Sequence, residues 1–242
     1  MSAHRAFSLA LAPRPARRLI PSRFPPIGLF DTVATAADLA RVMELAGWTN
    51  DRLVAERVAR LPRAEWVYGR PNSSVVMASF LHAAPGGMRF NGPELGAWYA
   101  AADIRTAAAE VGHHLRREAA SRSLPQLRRV YRSYAARLEG GFVDIRRAVA
   151  PAGHGALLDR LYDPRDYAHA QPFGEAVREE ALRGEGKSPA AGIVFDSLRH
   201  RGGINAVAYR PSLVLDVVQA DHFAVLVRRD ERRIEVERLR SG

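Results

Sequence analysis

The stretch Gly96-Ala97-Trp98-Tyr99-Ala100-Ala101-Ala102-Asp103-Ile104-Arg105-Thr106-Ala107-Ala108-Ala109-Glu110 changes its period halfway along. Small residues flanking two aromatics from Gly96 to Ala102 predict a short buried strand, and Asp103 then supplies the cap for a helix over Ile104–Ala120. On that helix Ile104, Ala108, Val111 and Leu115 recur at three- and four-residue steps and form one apolar stripe. Thr106, Glu110, His113 and Arg117 fall on the opposite side, so the register of the helix keeps the Glu110 carboxylate off the core.

Outward from this strand-to-helix junction the chain stays mixed. Downstream, Gly192–Phe195, Ile204–Tyr209, Val214–Val218 and Phe223–Val227 read as strands, with Gly202-Gly203 and Asp221-His222 as turns. Residues 124–185 carry little pattern beyond a polar helical segment around Phe173–Arg183. Upstream, a Thr35 cap and Gly47 stop enclose one helix, a second covers Asn50 to Leu61 before Pro62, and Val75–Ala78 fits either a strand or a buried helix. Prolines 13, 15, 21, 25 and 26 prevent a continuous helix near the start, which predicts a flexible arm over residues 1–18 laid beside a single α+β domain over 19–242.

Composition narrows the functional classes. A chain of 242 residues, 47% hydrophobic and 26% charged, can bury a sizeable core. No run approaches the roughly 18 apolar residues of a membrane helix, and the arginines after Ala6–Ala12 sit on the wrong side for a secretory signal. Without cysteine there can be no disulfide, thiolate metal site or cysteine nucleophile, and the cytoplasm is the default compartment. The net charge of +10 is carried by arginine, with Lys187 as the single lysine, so its basic groups are forks suited to carboxylate and phosphate. They are scattered along the chain with no helix-turn-helix or zinc-finger pattern, which argues against direct nucleic-acid binding.

Several local patterns carry less than they suggest. Gly186-Lys187-Ser188 ends like a phosphate loop, but Ala181 stands where the first glycine belongs and the lead-in is helical. His113 and His114 are neighbours, not an i, i+4 metal pair, so no metal is expected. Ser197, in Phe195-Asp196-Ser197-Leu198-Arg199, lacks the glycines of a nucleophile elbow. Taken singly, Glu110 could be a solvated helix residue, Tyr99 plain core and Arg89 a turn residue held by a carboxylate.

Together, Met88-Arg89-Phe90-Asn91-Gly92, Gly96-x-Trp98-Tyr99-Ala100-Ala101, Thr106-Ala107-x-x-Glu110 and Phe195-Asp196-Ser197 resemble the RES family, named for its Arg, Glu and Ser. Leu19–Phe30 is similar to a subgroup that includes ADP-ribosylating toxins. The resemblance implies a fold like that of ADP-ribosyltransferases and a toxin that consumes NAD as substrate and is held inactive by a cognate antitoxin, Xre-like and DNA-binding in its own right. By that resemblance Glu110 would stabilise the ribosyl cation, Tyr99 pack on nicotinamide, Arg89 fork onto pyrophosphate or ribose, and Ser197 bond near the nicotinamide ribose. Arg23 and His222 follow as further ligand contacts. Water, phosphate or a protein side chain could each capture the sugar without altering these residues. Two rivals stand beside this reading: a basic nucleic-acid-binding module, and an interaction protein that keeps the fold without activity.

Overall fold

A computed structural model describes residues 3–23, 30–35, 37–38, 57, 59–184 and 189–239. The helices expected over 35–46 and 50–61 fall largely outside these residues, as do the 186–188 loop and part of the Leu19–Phe30 motif. The fold is α+β, built on one nine-stranded mixed sheet. Its strands are β1 (Leu9–Ala10), β2 (Ala16–Pro21), β3 (Trp98–Ala101), β4 (Gln126–Leu138), β5 (Phe142–Asp144), β6 (Gly192–Asp196), β7 (Ile204–Ala208), β8 (Val214–Arg228) and β9 (Ile234–Leu239). They lie in the order β1-β5-β6-β7-β3-β2-β4-β8-β9, with β5 and β6 parallel and the other neighbours antiparallel.

Among the described residues four helices cover the sheet: α1 (Ser73–Leu81), α2 (Ile104–Ser121), α3 (Gly155–Leu161) and α4 (Ala170–Arg183). One face buries Val76, Phe80, Trp98, Ala206 and Ala208 under α1. On the opposite face α4 sets Phe173 and Val177 against Ile193 and Val207, and α2 sets Ala108 and Leu115 against Tyr131 and Val225. Strand alternation divides β7 between the two cores, because successive side chains leave a strand on opposite sides.

Two expectations need correction, and one open choice is decided. The arm proposed for residues 1–18 is not free over its described part: Phe7 and Ala16 are buried, and Ala16–Pro21 is an interior strand between β3 and β4. Its prolines stand at or outside the strand ends, where the missing N–H removes little from the ladder. Asp221-His222 is no turn, since β8 runs unbroken through it; breaks in register against β4 between Arg132 and Tyr134 and between Ala135 and Arg137 bend the pair instead. Val75–Ala78 is helix, held as part of α1 by burial of nearly every side chain.

Candidate active site

The expected junction forms, with β3 passing through Asp103 into α2. Asp103 accepts the Thr106 N–H at 2.7 Å and the Thr106 hydroxyl at 2.9 Å. Thr106 is itself buried, not exposed with Glu110 as its place on the wheel suggested, because the loop after β6 packs over the start of the helix. Burial opposes ionisation of Asp103, but the Thr106 hydrogen bonds and nearby His200 hold its carboxyl below the ordinary range. An ionised Asp103 can only accept, so it takes the single hydroxyl proton of Thr106. The 2.8 Å contact between Thr106 Oγ1 and His200 Nδ1 therefore places the imidazole proton on Nδ1.

The same proton arithmetic assigns Ser197. Its Oγ accepts the N–H groups of Arg199 at 3.1 Å and His200 at 3.0 Å, and stands 2.7 Å from Glu110 Oε1. With its acceptor capacity occupied by two amides, the hydroxyl donates to Glu110. Asn205 Nδ2 donates to the same oxygen at 2.9 Å. Both bonds fall on Oε1 of a carboxylate that lines a cavity.

That cavity, about 350 Å³, opens between α2, β3 and the turn at 88–91, and Arg89, Tyr99 and Glu110 all line it. Arg89 Nη1 donates to the carbonyls of Leu161 at 3.0 Å and Asp163 at 2.7 Å, and the guanidinium lies 4.9 Å from the Tyr167 ring centre. Carbonyls, not the carboxylate expected of a turn arginine, hold it. Burial pulls it below its ordinary value, yet arginine stays charged at neutral pH. Tyr99 lines the cavity, and its hydroxyl donates to Asn91 Oδ1 at 2.8 Å and accepts the Phe90 N–H at 3.0 Å. Burial raises the phenol well above its usual value and keeps it protonated.

Helix α4 fixes the turn that carries Arg89. Glu175 Oε1 accepts the Gly92 N–H at 2.7 Å, and Gln171 Nε2 donates to the carbonyls of Gly86 and Met88 at 2.8 and 3.0 Å. Gly174 permits the approach, since a Cβ there would stand 2.0 Å from the Phe90 carbonyl oxygen.

Arg23 and His222 are not brought to this site. Arg23 is exposed near Glu118 and Tyr131, and His222 lies on β8 opposite Arg132 and Leu239. Neither lines the cavity. Residues missed in the sequence take their place. Arg18 of β2 donates to the Tyr99 carbonyl at 3.1 Å, lies 4.8 Å from the Trp98 ring centre, and is drawn by burial to about 10. The legible signal was an arginine pair inside an otherwise apolar strand. His113, also in the lining, is pushed down to about 4 by burial and then by the charges of Arg199, His114, Arg117 and Arg116. Among the described residues no cluster of three or more His, Asp or Glu could hold a metal ion, and no helix is long and apolar enough to cross a membrane.

Compared with known families, residues 57–228 match the RES domain. The chain belongs to the RES domain family. Within that span fall Arg89, Tyr99, Glu110, Ser197 and Asn205, whereas Arg18 precedes it. The RES family is associated with toxin–antitoxin systems and NAD-related activity, and its members pair with antitoxins. Comparison with curated proteins gives no match.

Proposed function

We propose that this RES protein is the toxin of a bacterial toxin–antitoxin pair, acting in the cytoplasm by cleaving NAD at its nicotinamide–ribose bond. The observation that carries the reading is the anchoring of Glu110: Ser197 and Asn205 both bond its Oε1, and the residue lines a cavity shared with Arg89 and Tyr99.

The chemistry asks for little else. Nicotinamide carries a positive charge in NAD and leaves as a neutral base, so the bond breaks without a strong general acid. Positive charge develops on the ribose, and a carboxylate beside it lowers the barrier as one does in glycoside hydrolysis. Glu110 supplies that carboxylate. The Tyr99 ring provides a flat apolar wall for nicotinamide, and Arg89 and Arg18 provide the positive charge that a pyrophosphate requires. Ser197, whose hydroxyl donates to Glu110, supports that carboxylate.

The ADP-ribosyl cation is then captured by a protein side chain, phosphate or water. Likeness to the ADP-ribosylating subgroup favours protein, and an Xre-like antitoxin blocking the pocket would suppress all three routes. The excess of arginine suits an acidic antitoxin surface. Incubation with NAD in buffer, with phosphate and with cell lysate, followed by mass spectrometry, identifies the acceptor. Glu110→Gln is expected to reduce NAD loss by about 10² or more, the order for one positioned electrostatic group. A folded Glu110→Gln protein that consumes NAD at the parent rate would remove the basis of the reading.

A further inference from the structure

Strand β7 reads Ile204-Asn205-Ala206-Val207-Ala208, with one amide in an otherwise apolar sequence. It is an interior strand, registered against Ala101 of β3 and Phe195 of β6 at this position, and Asn205 is only 5% exposed. A buried amide destabilises the fold unless it is hydrogen-bonded, so packing alone would favour an aliphatic residue here. Its hydrogen bond runs to Glu110 Oε1 at 2.9 Å. Ser197 reaches the same oxygen from a loop, whereas the Asn205 backbone is fixed by ladders on both sides.

We infer that Asn205 is a positioning residue which, with Ser197, holds Glu110 by Oε1 and thereby aims its carboxylate at the reacting sugar. The inference rests on the NAD-cleaving reading for its chemistry, while the coupling between Asn205 and Glu110 can be measured without turnover. Two donors from separate segments meet on one carboxylate oxygen, which fixes the orientation of the group. Arg89 from the 88–91 turn and His114 from α2 also feel the Glu110 charge, so both remain unchanged in the test.

The experiment compares the parent, Asn205→Ala and Asn205→Asp, with Glu110→Gln to assign the Glu110 signal. Carboxyl-labelled glutamate is followed by carbon NMR at neutral pH, and initial rates are measured against NAD concentration. In Asn205→Ala the Glu110 carboxyl resonance should shift, and kcat should fall about tenfold to a hundredfold with KM within about twofold. Asn205→Asp, which sets an acceptor where the donor stood, should shift the resonance and lower kcat further. A filler of the space would not produce this ordering. An unmoved Glu110 resonance in both variants, or a rise in KM at constant kcat, overturns the inference. Should Asn205→Asp fail to fold, Asn205→Ala decides it. A parent that leaves NAD intact while the resonance shifts as described would refute the NAD reading and uphold the coupling.

Discussion

Ser197 and Tyr99 each make hydrogen bonds that their motif does not announce. The Ser197 hydroxyl receives two backbone amides and gives its proton to Glu110, so it has no hydrogen left for a ligand. Ser197→Ala should therefore lower kcat by about tenfold and leave KM for NAD nearly unchanged, and steady-state rates distinguish this from a ribose contact, whose loss would raise KM. Tyr99 lines the cavity and uses its hydroxyl to hold Phe90 N–H and Asn91 on the Arg89 turn. Tyr99→Phe leaves that amide without its partner, an expected loss of about 1–3 kcal/mol. Thermal unfolding should fall by about 2–4 °C for each kcal/mol in a domain of this size, and KM for NAD should rise as Arg89 loosens. The set Arg89, Tyr99, Glu110 was readable in the sequence through the family resemblance of the motifs that carry it, since each residue singly fits a structural role. Asn205 and Arg18 were not, since a lone amide or an arginine pair in a strand carries no site until the sheet brings it beside Glu110 or Tyr99.

Helix α2 joins the site to the far edge of the sheet. Near its start Asp103, Thr106 and His200 tie it to the loop that carries Ser197, and near its end Glu118 binds Arg129 of β4 through two contacts of 2.7 Å. Between them Gly112 faces β9. A Cβ there would stand 2.6 Å from Ile234 Cδ1 and 3.0 Å from its Cγ1 and Cγ2, so the glycine admits the edge strand despite its helix-weakening flexibility. Gly112→Ala should improve local helix propensity yet lower net stability by about 1–3 kcal/mol through overpacking, with Ile234→Val restoring part of it. Chemical denaturation of the single and double variants tests this. The sequence revealed the helix through its cap and apolar repeat; it did not reveal β9, whose strand exists only because β8 and α2 offer it an edge and a groove.

Across the whole molecule, proton binding should weaken the fold at acidic pH in separate windows. His113 titrates at about 4 in the folded protein but near its ordinary value of about 6.5 when unfolded, so the unfolded chain binds the proton first. Stability from His113 is full above about pH 6.5 and is lost as pH falls toward 4, and His114 shifts in the same direction. Glu118, drawn to about 2 chiefly by its hydrogen bonds with Arg129, loses its contribution lower, from about pH 4.5 downward. Melting curves from pH 7 to 4 should show a decline that His113→Asn flattens; an unchanged slope in that variant would contradict the assignment. The sequence by itself determined the mixed class and the β3-to-α2 junction, because caps, turns and period are local properties of the chain, while its motifs singled out Arg89, Tyr99 and Glu110 through their family resemblance. Only the tertiary structure decided that the N-terminal segment is an interior strand, that Asp221-His222 continues β8, and that Ser197 and Asn205 meet on one oxygen of Glu110. These depend on strand order and hydrogen-bond partners distant along the chain, which no local pattern encodes.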